Sequence, residues 1–180
     1  RRGLGVNSAD AAVVTNVSSD HLGEYGVATL DGMARAKGVV YSVVSTAGRR
    51  VFNMDDVHVE ELVSDANSGA IFTSARGLSP KLRARASEGG TLLYVDDGDV
   101  VLVRGDVRRR LLAVDEIPCT FGGTAIYNVS NAITAAALAL SIDIPEDAIA
   151  AGLRSFGASW RDNPGRGQLT EVNGIKVMLD

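Results

Sequence analysis

The sequence has little cysteine, little proline and few aromatic residues. Its 180 residues include one Cys, four Pro and 5% aromatic residues. Because Cys119 has no second cysteine to pair with, an internal disulfide is excluded, and a reducing compartment, the cytoplasm, is expected. No apolar run is long enough to span a bilayer, and no signal peptide precedes the first predicted strand, so we expect no membrane partner.

Basic charge is scarce as well. Eighteen Lys and Arg stand against 22 Asp and Glu, which gives a formal net charge of −4. A nucleic-acid surface needs clustered basic charge, and we expect no such partner. The run Arg108-Arg109-Arg110 lacks interleaved aromatic residues and is predicted to be a solvated hairpin end. What the chain does contain is 46% apolar residues and 20 Gly, enough for a sizeable core.

Predicted strands and helices alternate over the first 90 residues. Continuous or short apolar runs predict strands, and apolar residues three and four apart predict helices. The strands are expected at 11–17, 51–53 and 70–73, and the helices at 29–43, 57–66 and 79–87. This order is typical of βαβ units, and it predicts an α/β fold with a mostly parallel sheet flanked by helices.

Beyond residue 90 the pattern predicts hairpins and two further helices. Asp97-Gly98 and Asn173-Gly174 each separate two apolar runs, and both dipeptides favour a tight turn with positive φ. A third strand is expected at 111–117, and helices at 128–141 and 145–156. Gly, Ser and Asn are frequent in 157–167, which predicts a linker. We therefore expect one domain over 1–157, and a linker with the first hairpin of another domain over 158–180.

Lys37 interrupts the apolar stripe of the first predicted helix. It follows Met33 by four residues and Ala34 by three, so it lies on the face that packs inward. A buried, unpaired ammonium is costly, and such a lysine either extends its amine to solvent, pairs with an acid or is chemically modified. Spacing alone leaves these alternatives open.

Three other residues are candidates for a site. His21 follows the first strand and stands beside an aspartate, which suits a metal ligand or a general base as well as a structural loop histidine. Asn128 and Asn131 are three residues apart at the start of the long apolar helix. They can cap that helix, or they can present two amides to the edge of a base.

Several short motifs occur in an order that resembles the Mur ligase superfamily, most closely its cyanophycin synthetase branch. The motifs include Leu30 to Lys37 (LDGMARAK), the Asn53-Met54-Asp55-Asp56 stretch and Asn128-Val129-Ser130-Asn131. The matching segments are 15–17, 20–23, 30–37, 52–56, 116–118, 121–123, 128–132, 151–156 and 163–180. The resemblance therefore covers essentially the whole chain.

The resemblance implies an ATP-dependent ligase that uses Mg²⁺. ATP would phosphorylate the terminal carboxylate of a small-molecule or peptide substrate, and the amine of an incoming amino acid would attack the acyl phosphate. Lys37 matches a lysine that is carbamylated and helps to hold magnesium, and His21 matches a histidine that binds the second magnesium. Both would be catalytic and metal-binding.

The same resemblance assigns four residues to the nucleotide. Asn128 and Asn131 match asparagines near the adenine. Arg166 matches a linker arginine that reaches the phosphates, and Asp180 matches an aspartate near the ribose.

The family's Gly-Lys-Thr/Ser phosphate loop does not occur in this sequence. We therefore expect a fragment of a longer ligase that is inactive alone, and the resemblance implies that its parent adds arginine to a poly-aspartate backbone. Three alternatives remain: a peptidoglycan-precursor ligase, a folylpolyglutamate ligase, and a non-catalytic nucleotide-binding remnant. A homo-oligomer is also left open.

Overall fold

A six-stranded mixed sheet forms the centre of the protein. The computed structural model describes residues 4–20, 22–23, 26–65, 69–159, 161–164 and 168–179. The strands are β1 (Ala9–Val14), β2 (Val44–Asn53), β3 (Ile71–Ser74), β4 (Thr91–Asp96), β5 (Asp99–Arg104), β6 (Val107–Ala113), β7 (Gln168–Val172) and β8 (Ile175–Leu179). The helices are α1 (Leu30–Gly38), α2 (Val57–Glu60), α3 (Pro80–Ser87), α4 (Ile126–Ser141) and α5 (Glu146–Ser155).

The sheet order follows the chain order, β1 to β6. Strands β1 to β4 pair in parallel, and β5 and β6 add antiparallel strands at the far edge. Each parallel connection contains one of the helices α1, α2 and α3, as βαβ units require. The predicted α/β class with a mostly parallel sheet is confirmed.

Helices cover both faces of the sheet because successive strand residues point to opposite sides. Val51, Ile71 and Leu93 belong to a buried cluster with α4 and α5. Their neighbours Phe52, Phe72 and Leu92 belong to a second buried cluster with residues of α1, α2 and α3. The apolar strands are thus buried on both sides, which explains why their runs are continuous rather than alternating.

Two predicted helix starts are confirmed in detail. The Thr29 hydroxyl accepts a hydrogen bond of 3.1 Å from the Gly32 amide at the start of α1. The Ser79 hydroxyl accepts one of 3.1 Å from the Leu82 amide at the start of α3, where Pro80 is the first helical residue.

Two predicted boundaries near the start of β2 were wrong. Strand β2 begins at Val44 instead of residue 51, because Arg49 and Arg50 pair with Ala11 and Ala12 of β1 although they are polar. The helix expected over 29–43 is α only to Gly38 and continues as a 3₁₀ turn. In β2, pairing with the neighbouring strand β1 outweighed the low strand propensity of the polar residues.

Two further predicted boundaries also differ from those in the structure. The helix expected over 57–66 is four residues of α2 followed by a 3₁₀ turn at Glu61–Asp65. Strand β6 spans Val107–Ala113 rather than 111–117, so the three arginines Arg108 to Arg110 lie inside an edge strand and not at a hairpin end. Each of the three pairs with an acidic residue, and Arg110 contacts Asp99 of the neighbouring strand β5 at 2.8 Å.

Both predicted tight turns are confirmed. Asp97 and Gly98 have φ values of 47° and 80°, and Asn173 and Gly174 have φ values of 52° and 79°. The second turn joins β7 and β8, which form a separate two-stranded sheet. The division expected near residue 157 stays a prediction.

The orientation of α4 places its first turns at the carboxyl edge of the parallel strands. A guanidinium nitrogen of Arg49, in the middle of β2, donates 2.9 Å to the Ser141 carbonyl and 2.7 Å to the Asp143 carboxylate. The cation thus binds the carbonyl end of α4, where the helix dipole favours positive charge. Among the described helices, none combines the length and the hydropathy needed to cross a membrane.

Candidate functional site

Lys37 reaches back to the loop that follows β1. Its Nζ donates a hydrogen bond of 3.1 Å to the Asn16 carbonyl, two residues beyond the end of the strand. The side chain is half-buried. The partial burial of Lys37 agrees with its inward-facing position on α1. Its amine avoids the cost of burial without a partner because it binds a backbone carbonyl.

Asn53 connects this loop to α4. It is the last residue of β2 and is 5% exposed. Its Nδ2 donates 2.8 Å to the Thr15 carbonyl and 3.4 Å to the Ser130 hydroxyl. A contiguous line of contacts therefore runs from the Lys37 amine through residues 15 and 16 to the first turns of α4.

Two aspartates after β2 fix the neighbouring loops. The Asp55 carboxylate accepts 2.6 Å from the Ser74 hydroxyl and 2.7 Å from the Ala75 amide, so it joins the ends of β2 and β3.

Asp56 has the same function for the loop after β1. One of its carboxylate oxygens accepts 2.8 Å from the Val17 amide. The other accepts 3.0 Å from each of the His58 and Val59 amides, which makes Asp56 the N-cap of α2. Both oxygens of Asp55 and of Asp56 accept hydrogen bonds from neighbouring loops, so these carboxylates position the loops.

A cavity of about 1090 Å³ lies between α4, α5 and the segment 117–121. Asn128 and Asn131 line it, together with Asn163. The Asn128 amide donates 2.6 Å to the Cys119 carbonyl, whereas the Asn131 side chain is exposed. The rest of the lining is largely apolar, as in pockets that enclose a planar ring and orient it with a few polar groups.

The Asn128 N-cap interpretation was wrong, because α4 begins two residues earlier and Ala125 occupies that position. Asn128 instead shapes the cavity wall, and Asn131 presents an amide to the open space.

Glu116 and Arg154 connect the two walls of this cavity. The Arg154 Nε on α5 donates 2.7 Å to one carboxylate oxygen, and the Ala113 amide donates 2.9 Å to the other. The Ala113 hydrogen bond, followed by the Arg154 guanidinium, lowers the pKa of Glu116 to about 2. Because the pair sits at the surface, its contribution to the free energy of unfolding is small.

The lowered pKa of Glu116 predicts a pH effect on unfolding. A depressed carboxyl pKa contributes stability that is complete above the unfolded value of 4.5 and is lost as pH falls through the folded value of about 2. The free energy of unfolding should therefore fall less steeply between these two pH values in Glu116→Gln than in the unsubstituted chain. Urea unfolding at several pH values measures this, with the exposed Glu171→Gln as control. Equal slopes for Glu116→Gln and the unsubstituted chain would contradict the prediction.

The turn after α5 packs closely on the opposite wall of the cavity. Gly157 has a φ of 84°, and a Cβ at this residue would lie 2.7 Å from the Cys119 Cβ. Burial raises the pKa of the Cys119 thiol and thereby disfavours the thiolate form.

Comparison with known proteins identifies the family. Residues 2–139 match the family profile described as Mur ligase middle domain. The chain belongs to the Mur ligase family. Its relatives include the cyanophycin synthetase of Nostoc sp. strain PCC 7120, 33% identical over all 180 residues. They also include the UDP-N-acetylmuramoylalanine–D-glutamate ligase of Methylobacillus flagellatus, 32% identical over 83% of this chain and 29% of that one.

Solved structures confirm this Mur ligase architecture. A pseudomurein peptide ligase type C from Methanothermus fervidus superposes with a TM-score of 0.61 and 19% identity, covering 96% of this chain and 38% of that one. MurF from Acinetobacter baumannii gives a TM-score of 0.57 over 95% of this chain and 33% of that one. The chain spans about a fifth of the length of the cyanophycin synthetases it matches.

The structure describes half of the six predicted site residues. Lys37 lies at the carboxyl edge of the sheet, and Asn128 and Asn131 share one cavity. His21, Arg166 and Asp180 lie outside the described residues. The roles of Asn53, Asp55 and Asp56 as connectors were not predicted, although polar residues that directly follow a buried strand are a usable signal.

Proposed function

We propose that this Mur ligase chain is the nucleotide-handling part of a longer ATP-dependent amino-acid ligase of the cyanophycin synthetase type. In that protein ATP would activate a terminal carboxylate, and arginine would be the amine donor. The 180-residue chain would be inactive alone, since the expected phosphate loop is not in its sequence. The observation that carries the proposal is the cavity with Asn128 and Asn131, joined to Lys37 through Asn53.

The cavity fits an adenine ring. Its volume of about 1090 Å³ is slightly above the range of about 300–1,000 Å³ that is usual for small-molecule pockets, so a whole nucleotide has room around the ring. Asn131 would offer both an amide donor and an amide acceptor to the ring edge. Asn128 would hold the Cys119 carbonyl and keep one acceptor oxygen for the ligand.

The surroundings of Lys37 fit a hard cation if the lysine is carbamylated. As an ammonium, Lys37 donates to the Asn16 carbonyl. A carbamylated Nζ would keep one N–H for the Asn16 carbonyl, and the carbamate would add two anionic oxygens beside the loop after β1. Mg²⁺ takes such oxygen ligands, and when bound it would neutralise charge on the transferring phosphoryl group. His21 would add a further ligand.

The residues of this chain would act mainly by positioning. A carboxylate oxygen of the acceptor attacks the γ-phosphorus, the bond to ADP breaks, and an acyl phosphate forms. The amine nitrogen then attacks the acyl carbon, phosphate leaves with the bonding electrons, and the nitrogen loses a proton. Asn53 and Asp56 would keep the loop after β1 in register with α4 during both steps.

The parent protein provides the test. Purified full-length protein should release ADP only when ATP, a poly-aspartate primer and arginine are all present, and the 180-residue chain alone should release none above background. Release of ADP with a muramyl-peptide acceptor and D-glutamate instead would assign the parent to the peptidoglycan branch. No turnover with any acceptor would favour the non-catalytic alternative.

Nucleotide binding gives a second prediction for the same protein. Asn131→Ala should raise the KM for ATP about 5- to 13-fold, because a ligand amide–base hydrogen bond is worth about 1–1.5 kcal/mol. The fold should be unchanged, since the Asn131 side chain is exposed. Asn7→Ala, an exposed asparagine outside the cavity lining, is the matched control and should leave the KM unaltered. Equal KM values for the two variants would remove Asn131 from the adenine site.

A further inference from the structure

His58 forms a second cluster of potential ligands, in the helical layer that contains α1 and α2. The His58 Nδ1 lies 3.5 Å from an Asp31 carboxylate oxygen in the first turn of α1. It lies 3.6 Å from a carboxylate oxygen of Glu61, the residue that directly follows α2. The three ligand atoms are all within 4.8 Å of one another.

The His58 nitrogen in this cluster is buried without a hydrogen bond. Most buried polar side-chain atoms have a partner, so an orphaned imidazole nitrogen between two carboxylates requires an explanation. Its two separations are too long for hydrogen bonds. They do match the edge of a metal tetrahedron: for metal–ligand distances of about 2.0–2.1 Å, two ligands are about 3.3–3.4 Å apart.

We propose that Asp31, His58 and Glu61 bind a divalent transition-metal cation of the Zn²⁺ class. One imidazole nitrogen and two carboxylates form a nitrogen and oxygen donor set that such an ion accepts. The two carboxylates balance its charge. Their side chains are 64% and 58% exposed, so the ion has a route from solvent and a fourth position for water.

The ion would connect α1 to α2. Asp31 and Lys37 are six residues apart on α1, or about 9 Å along the helix axis. His58 is two residues beyond Asp56, whose carboxylate holds the Val17 amide. Because one ion would bind residues from both helices, a bound ion would restrain the segment between β1 and α1. This cluster shares no residue with the proposed ligase site, and the proposal does not depend on ligase activity.

Metal binding to the full 180-residue chain tests the proposal without any activity assay. After removal of metals with EDTA, titration with ZnCl₂ should show one site per chain by calorimetry. A hundredfold excess over the dissociation constant should raise the Tm by about 5 °C or more. Co²⁺ in place of Zn²⁺ should give the visible absorption of a tetrahedral complex.

Matched variants decide which residues hold the ion. His58→Gln, Asp31→Asn and Glu61→Gln should each weaken Zn²⁺ binding at least about tenfold. The two carboxylate variants alter exposed side chains, so circular dichroism should show an intact fold. Glu60→Gln, whose carboxylate instead pairs with Lys81 at 2.8 Å, should bind Zn²⁺ like the unsubstituted chain. Absence of Zn²⁺ binding, binding lost in His21→Gln but kept in His58→Gln, or equal stabilisation by Mg²⁺ would overturn the proposal.

Discussion

Lys37→Met in the proposed longer ligase is expected to lower kcat/KM for ligation at least about 100-fold, the effect of losing one electrostatic stabiliser of a transition state. Methionine has a similar length and fills the same place on α1. It offers neither a nitrogen that can be carbamylated nor a donor for the Asn16 carbonyl. ADP release in a coupled assay measures the loss.

Two controls separate this effect from misfolding. Lys81→Met on α3 removes an amine that is 69% exposed and pairs with Glu60, and it should leave turnover unchanged. If a carbamate is the active form of Lys37, acetate should partly restore turnover to Lys37→Met because it replaces the missing anionic oxygen. Full activity of Lys37→Met would rule out the proposed role of this lysine.

Asp56→Ala is expected to have the largest effect on stability, a loss of about 2–4 kcal/mol in the free energy of unfolding. The substitution removes the cap of α2 and the acceptor of the Val17 amide together. Urea unfolding of the 180-residue chain measures the change.

Asp56→Asn is the matched variant. It keeps one acceptor oxygen for the amides of α2 and places an NH₂ group against the Val17 amide, so the expected loss is about half as large. A change below about 0.5 kcal/mol for Asp56→Ala would show that the loop after β1 is held by other contacts.

Where the sequence predicted the structure correctly, local chemistry and tertiary packing favoured the same conformation. Thr29 and Ser79 cap helices because hydroxyl acceptors suit free amides, and Asp97-Gly98 forms a turn because both residues tolerate positive φ. The apolar runs at β3 and β4 had to be buried on both faces, which produced the parallel sheet.

Where the prediction failed, a distant partner determined the conformation. Arg49 and Arg50 are polar, yet they extend β2 because β1 offers them ladder partners and Arg49 binds the end of α4. No local pattern contains that information. The motifs at the candidate site could be recognised from the sequence. The role of Asn53 as a connector could not, because it depends on the Thr15 carbonyl and the Ser130 hydroxyl lying close together in the fold.

The arginine run of β6 has a consequence for solubility. An edge strand exposes unpaired backbone groups, and charged side chains discourage another chain from pairing with them. β6 has such protection in Arg108, Arg109 and Arg110, whereas β1, at the opposite edge of the described sheet, has Asp10 as its one charged residue. The two edges are therefore unequal in their resistance to aggregation, and self-association of this chain would begin at β1.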